Sequence, residues 1–320
     1  MGSSLAALAS EREHAATCGI QLNAVIVDNS REDAPVIRMA VEREGWGSWV
    51  TVIEAPKNGG FAYGNNLGFR HSWQRERVPD YFFLLNPDAA VRPNAVVALV
   101  DFLEQKPDAA SAASRLEDVD GNVWPYAFRF PNLLGEAVDS LGIGPLHHLF
   151  SGRVVLQPMG NRPQQTDWFP GAAMMLRSEV IRQLGGMDEG YFLYFEETDF
   201  CLKLWRAGWT NWYVPESHVM HEAGQSTGLT GKRGVDTPRP RYWYESRRRY
   251  FAKNHGVPYA AALDGVVVVA SALHGVYRRM RGKASRPEPF LVADLLRSSV
   301  ILPGNRAISP ASEFWPPPPT

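Results

Sequence analysis

The chain has 320 residues, 45% of them hydrophobic and 21% charged, with a formal net charge of −1. That length buries a sizeable core as one large domain or two small ones, and the composition is that of an ordinary globular protein. The balanced charge gives no reason to expect nucleic acid as a partner.

In chain order, residues 4–17 have helical spacing, with Leu5, Leu8, Ala9 and Ala16 on one side and Gly19 as a stop. A strand over Leu22–Val27 runs into Asp28, Asn29 and Ser30, and residues 34–44 read as a helix ending at Gly45. Val50–Glu54 is a second strand, closed by Pro56. After a glycine-rich turn, residues 64–76 suit a helix, 81–85 a third strand, and 93–105 a helix with Pro93 near its start. Strands alternating with helices of this length imply a parallel sheet covered on both faces. Residues 109–165 are less regular, and 166–225 follow a pattern of strand, helix, acidic turn, helix, strand. Beyond 240 the chain is basic, then apolar, then proline-rich from Pro316 to Pro319, an end that reads as disordered.

Cys18 and Cys201 lie far apart with no metal-type spacing and read as free thiols in a reducing cytosol. No signal peptide is read, and no run approaches the eighteen apolar residues of a spanning helix.

Two distant segments carry the chemistry. Tyr81 to Leu85 is an apolar run ending in Asn86, Pro87 and Asp88, a core strand that delivers a carboxylate to the carboxyl edge of a sheet. Open α/β proteins bind ligands at that edge, and a hard cation there bridges a carboxylate to substrate phosphates. The acidic cluster Glu196, Glu197 and Asp199 opens a helix and supplies candidates for a base. Together they are the minimum equipment for moving a group off a nucleotide diphosphate. Between them in kind lies the stretch Lys57–Gly68. Its glycines permit positive φ and close backbone approach, and a helix beginning there aims N–H groups at a pyrophosphate. Asn58, Asn65 and Asn66 add amides of the sort that read a base or ribose. A tight turn without a ligand is the alternative, and the Asn86-Pro87-Asp88 strand downstream favours the phosphate site. Glu196, Glu197 and Asp199 could likewise be favourable charges at a helix N-terminus.

These residues resemble, in order, the family 2 glycosyltransferases, and more closely their bacterial rhamnosyltransferase-like branch. The likeness runs through Val27 to Ser30, Asn58 to Gly68 and Leu85 to Asp88. It continues through Trp168, Gly171, Ala172 and Met174, then Gly185, Gly186, Asp188 and Glu189, and the segment Phe192 to Cys201. It ends on Ala207 to Trp209, His221, Gly224 and Ser226, and so covers roughly residues 20–256. The resemblance implies an α/β fold of the GT-A type, a mostly parallel twisted sheet flanked by helices with a C-terminal helical extension. It also implies a nucleotide-diphosphate sugar donor and an inverting transfer to a glycan or lipid-linked acceptor, with dTDP-rhamnose as the best guess for the donor. The corresponding division is a transferase domain over 1–225, with a nucleotide-binding half about 1–108 and an acceptor half about 109–225, and an extension over 226–320.

Carried over by position, Asp28 would face the nucleobase, with Asn29 and Ser30 beside it. Asn58, Gly60, Phe61, Gly64, Asn65, Asn66 and Asn86 would line the nucleotide. Asp88 and His221 would hold Mn2+ or Mg2+, manganese suiting an imidazole better. Glu197 would be the base, where the family more often has Asp; Glu196, Asp199, Trp168 and Gly171 would serve the acceptor. An unperturbed glutamate, with pKa about 4.3, is ionised at neutral pH.

Family members usually begin with one further strand, central to the sheet, and this sequence begins with what resembles the helix after it. Either the true start lies upstream or the protein is a shortened relative; without the strand, Val25 and Val27 lose a neighbour. A non-catalytic sugar- or nucleotide-binding relative and a nucleotidyltransferase are the other function classes in play. Finally, the apolar stretch Leu263–Leu273 precedes Tyr277 and the cations up to Lys283, a pattern that suits peripheral contact with anionic lipid. The alternative is a helix packed on the catalytic domain with its cations solvated; the expected location is the cytoplasm, with the inner face of the plasma membrane as the place of any such contact. Arg247, Arg248 and Arg249 read as surface or diphosphate-facing residues.

Overall fold

A computed structural model describes residues 2–221, 239–282 and 291–307. Helix α1 (Gly2–Thr17) leads to strand β1 (Ala24–Asp28), helix α2 (Ala34–Arg43) and strand β2 (Val50–Glu54). Helix α3 spans Gly60–Trp73, so the glycine-rich segment is not a turn before the helix but its opening turn. Strands β3 (Tyr81–Leu85) and β4 (Ala89–Val91), helix α4 (Ala95–Gln105) and the long strand β5 (Ala109–Glu117) follow. The less regular middle holds helices α5 (Leu133–Leu141) and α6 (Gly144–Leu149) and strand β6 (Gln164–Thr166). Strand β7 (Ala173–Arg177), helices α7 (Ser178–Leu184) and α8 (Glu196–Arg206) and strand β8 (Thr210–His221) come next. Helices α9 (Arg241–His255), α10 (Val257–Met280) and α11 (Leu291–Ser298) finish the described chain.

The fold is α/β with flanking and C-terminal helices, but its strand directions correct the expectation of a mostly parallel sheet. β1 and β2 form a parallel two-stranded sheet, with Asp28 opposite Glu54. The larger sheet has the order β3-β7-β5-β8-β4, with β6 added on β8. There β5 and β8 run parallel, whereas β3 with β7, β5 with β7, β4 with β8 and β6 with β8 are antiparallel. A crossover helix enforces parallel pairing, and the long irregular path from β5 to β7 imposes no such direction. Among the described strands, β1 pairs on one edge alone, with Val25 and Val27 partly exposed.

Small residues let the layers close. Ala109, Ala110, Ala112 and Ala113 of β5 are buried; Phe69, Phe169, Met174, Leu176 and Phe200 pack with Ala110 and Ala113, and Leu99, Leu103, Met175 and Val214 with Ala109 and Ala112. Burial of such large side chains is worth roughly 1.5–3 kcal/mol each. Helix α1 is fixed by polar contacts at both ends of the β3–α4 region. Its Ser4 hydroxyl donates to the Pro87 carbonyl (2.8 Å), and the buried Glu11 carboxylate accepts from the Asn94 and Val96 N–H groups at the start of α4.

Two further expectations change. Arg247 and Arg249 are buried: Arg247 pairs with Asp264 and, at 3.3 Å, with Glu136, and Arg249 pairs with Asp188. Guanidinium groups can enter a core when a carboxylate meets them in fork geometry, so these arginines clamp helices together. Second, α10 is long and apolar enough, by length and composition, to cross a membrane. The sequence reading took only Leu263–Leu273 as apolar; Asp264 and His274 are both carried on the buried side of one continuous helix, Val257–Met280. Gly224, Ser226 and Pro316–Pro319 lie outside the described residues.

Candidate active site

Strand pairing builds the first half of the site. The antiparallel register of β4 with β8 sets Ala89 opposite His221, so the residue before β4, Asp88, meets the imidazole at the end of β8. Asp88 Oδ1 lies 3.3 Å from His221 Nε2, and Asn86 Nδ2 lies 3.4 Å from the same nitrogen. On the other side of the ring, Tyr126 Oη is 3.3 Å from Nδ1. Asp88 Oδ1 is buried without a hydrogen-bond partner, since its approach to the ring is too poorly aligned to count as one. Burial pushes the Asp88 carboxyl up, but the adjacent His221 outweighs it and holds the group below the usual carboxylate range. The Tyr126 phenol is pushed up to about 12 by burial and by the charge of Asp88. Sequence reading missed Tyr126, because nothing in the irregular middle segment marks it as a neighbour of His221.

An unpartnered carboxylate oxygen and an imidazole nitrogen facing one space fit a divalent cation such as Mn2+, which takes an imidazole beside oxygen ligands more readily than Mg2+. Among the described residues no group of three or more His, Cys, Asp or Glu side chains converges. Two protein ligands leave positions that substrate phosphates fill.

The glycine-rich helix start lies against the segment before α8. Gly60 has φ +83°, and a Cβ there would stand 1.8 Å from the Phe192 carbonyl oxygen, which accepts from Phe61 N–H at 3.1 Å. Gly64 leaves room for Asn29, whose Nδ2 donates to the Gly60 carbonyl at 3.0 Å while its Oδ1 stays buried and unpartnered. The Asn58 side chain accepts from Gly60 N–H, and Asn65 donates to the Phe61 carbonyl one helical turn back. Other expected nucleotide contacts are spent inside the protein. Asp28 accepts from the N–H groups of Ser30, Arg31, Asp33 and Ala34 and from the Ser30 hydroxyl, capping α2. Burial would raise its carboxyl, but those hydrogen bonds hold it below the usual range. Asn66 is buried, donating to the Met187 carbonyl and Glu189 and accepting from Met187 N–H. Its amide ties α3 to the loop before the acidic cluster and has no N–H left for a nucleotide.

The acidic cluster is entered through strain. Tyr194 and Phe195, neither of them glycine, have φ +69° and +67°, and such left-handed positions collect at functional sites. Glu196 is 1% exposed and Glu197 partly exposed, yet each has a buried Oε2 with no partner. Burial, then the charge of Glu197, pushes the Glu196 carboxyl well up. Burial also raises Glu197, opposed by its own N–H and by that of Gly171. The expectation of an unperturbed glutamate is thus corrected: two neighbouring buried carboxyls cannot both carry charge cheaply. Burial thus disfavours charge on both carboxyls, and on Glu196 the neighbouring Glu197 charge adds to it.

At Gly171, Phe61 occupies the space a Cβ would take. Trp168 stacks on Phe128 (4.7 Å, 22°) and donates its indole N–H to the Arg129 carbonyl. Asp199 does not face an acceptor. It is buried and accepts from Lys253 (2.6 Å) and Asn254 (2.6 Å), which moors α8 to α9. Lys253 also meets Asp188 at 2.8 Å, and Asp188 takes Arg249 through both oxygens. The short spacing of α9 from α8 was invisible in the sequence, and so was this charge network.

An α/β fold with a glycine-opened helix, a carboxylate–imidazole pair at strand ends and a strained acidic helix start defines a class: proteins that handle nucleotide-linked groups. Residues 15–180 match the family described as glycosyl transferase family 2, and residues 144–275 match glycosyl transferase family group 2. The chain belongs to glycosyl transferase family 2. It is 31% identical over 153 residues to the N-acetylglucosaminyl-diphospho-decaprenol L-rhamnosyltransferase of Mycobacterium tuberculosis, covering 47% of this chain and 50% of that protein. It is 28% identical over 172 residues to rhamnosyltransferase WbbL of Escherichia coli, covering 51% and 61%. The chain thus spans about half the length of the curated relatives it matches. A solved mannosyltransferase of Pyrobaculum calidifontis, in complex with GDP-Man and Mn2+, is 16% identical with a TM-score of 0.48, covering 89% of this chain and 73% of that one.

Proposed function

We propose that this chain is an inverting glycosyltransferase that moves rhamnose from a nucleotide-diphosphate donor to a lipid-linked glycan at the cytoplasmic face of a membrane. The observation that carries the reading is the unpartnered Glu197 carboxylate at the strained start of α8 together with a separate carboxylate–imidazole site at Asp88 and His221. The likeness to two rhamnosyltransferases supports the sugar, and the decaprenol named for one of them supports the lipid-linked acceptor.

In this reading the donor's diphosphate lies between the α3 N-terminus and the Asp88–His221 pair. A divalent cation held by those two side chains would offset the negative charge of the departing diphosphate. Tyr126 and Asn86 hold the imidazole ring in place. Glu197 takes the proton of the acceptor hydroxyl as that oxygen forms its bond to the anomeric carbon and the bond to the diphosphate oxygen breaks on the opposite face. The raised carboxyl makes Glu197 a stronger base than an exposed glutamate, and general-base help is worth roughly 10²–10⁴-fold in rate. The Gly171 N–H offsets part of the burial of its charge, and the raised carboxyl of Glu196 lessens the negative charge beside it.

Thermal-shift screening of dTDP-, UDP- and GDP-sugars with Mn2+ tests the donor, because a ligand that binds only the folded state raises stability by mass action. A dTDP-sugar that stabilises the protein only with Mn2+, followed by sugar transfer to a polyprenyl-diphosphate glycan, is the expected result. Donor binding without any turnover would instead select the non-catalytic relative.

A further inference from the structure

Helix α10 has two faces of opposite use. Ala260, Leu263, Asp264, Val267, Ala270 and His274 are buried against α5, α9 and α11. On the other side, Val269 is 59% exposed, Leu273 57%, Val276 56% and Met280 83%. Steps of four, three and four residues place these side chains on one stripe, about 17 Å long at the helical rise. The exposed ring of Tyr277 adjoins it, with the Arg281 cation 4.9 Å above. Arg279 and Arg281 are exposed at the C-terminal end, and the sequence continues into Lys283 and Arg286.

Charge decides what this face fits. Asp264 is the sole carboxylate on the helix, and it is buried with Arg247 and Ser299. The outer face thus joins apolar side chains to cations with no anion among them. A second copy packed on it would bring arginines against valines and leucines, with no carboxylate on α10 to meet them. Anionic phospholipid answers both halves, with acyl chains for the stripe and phosphates for the arginines. Spanning the bilayer is a different arrangement, and it would strip the Arg247–Asp264 pair and the His274 contact with the Leu141 carbonyl from their surroundings.

We propose that α10 lies in the plane of an anionic membrane surface, its Val269–Met280 stripe at the acyl boundary and Arg279 and Arg281 on lipid phosphates. This deepens the lipid-linked acceptor reading and rests on it for its purpose. Its geometry suits that purpose, since α10 packs on α9, and α9 holds Asp199 of the acidic helix through Lys253 and Asn254.

Sedimentation of the full chain with vesicles tests it, using phosphatidylcholine alone and phosphatidylcholine mixed with phosphatidylglycerol. Binding to the mixed vesicles is expected, at least ~10-fold tighter than to the neutral ones and weakened by salt. Leu273→Glu with Val276→Glu should abolish it, and each of Arg279→Ser and Arg281→Ser should cost about fivefold. All three variants should keep the wild-type melting temperature and donor-induced thermal shift; the two arginine variants carry the test if the double glutamate variant misfolds. Wild-type chain that ignores both vesicles, or variants that bind as well as wild type, would overturn the proposal. So would lipid-bound chain that resists alkaline extraction, which marks spanning, or glutamate variants whose effect is to split a dimer. Vesicle binding with no donor binding would sink the transferase reading and leave the membrane face standing.

Discussion

The Asp88 carboxylate and the His221 imidazole stand 3.3 Å apart because β4 pairs antiparallel with β8 in a register that sets Ala89 opposite His221. Neither residue is informative alone, and their meeting is a product of sheet assembly.

Asp88→Ala should abolish Mn2+-dependent binding of a nucleoside diphosphate while leaving the fold intact, and His221→Ala should weaken metal and donor together. Tyr126→Phe, which removes the hydroxyl at the far ring nitrogen, should cost ~10–100-fold in Mn2+ affinity. Calorimetric titration with Mn2+ and nucleotide reads all three. Unchanged affinity in Asp88→Ala would remove the assignment.

Glu197→Gln keeps size and hydrogen bonding but cannot accept a proton. Turnover should fall ~10²–10⁴-fold with donor affinity preserved. Near-normal turnover in this variant would move the base to Glu196, and activity in amide variants of Glu196, Glu197 and Asp199 alike would reduce the cluster to a helix start.

The two raised carboxyls also fix a pH dependence. A group whose folded pKa lies above its unfolded value holds a proton in the native state that the unfolded chain has released. Its contribution is present below the unfolded value, roughly pH 4.3, and is lost as pH rises toward the folded values. Glu196, raised further than Glu197, dominates. Glu196→Gln should therefore flatten the fall in melting temperature above about pH 5 and leave the variant more stable than wild type under alkaline conditions. A parallel pair of melting curves against pH would show that Glu196 is not raised.

Arg249→Ala breaks a buried ion pair, a change that costs about 3–5 kcal/mol when the charge is left alone and less here, because Lys253 stays on Asp188 at 2.8 Å. Denaturant melts should show that loss, along with weaker catalysis, since α9 holds α8 through the same lysine. Asp188 is pushed up by burial but held below the usual range by Arg249 and Lys253. Its contribution is thus present above the unfolded value and fades on acidification, so the gap between wild type and variant should shrink at low pH.

Gly60→Ala places a methyl group where the Phe192 carbonyl oxygen stands and at a φ that side chains rarely adopt. The segment joining α3 to the acidic helix would have to shift. Donor affinity should fall at least tenfold, on the order of 1.4 kcal/mol. Thermal shift with nucleotide is sufficient to read it.

Much of this was written locally. β2 and β3 occupy the stretches that the hydrophobic pattern marks, because alternation and turn residues act over a few neighbours. The order of motifs from Asp28 to His221 named the family, which the match over residues 15–180 establishes. Sequence alone therefore determined which elements form and which residue types stand at their ends. Tertiary structure decided the rest. Strand direction in the larger sheet depended on a long connection with no local signal, so a parallel sheet was the wrong expectation. Asp28, Asn66 and Asp199 are polar residues in motif positions, yet each is consumed by a cap or a buried bridge whose partner lies elsewhere in the fold. The shift of Glu196 and Glu197 away from ordinary glutamates is likewise invisible in one dimension, because burial is a property of everything packed around a carboxyl and not of its neighbours in the chain.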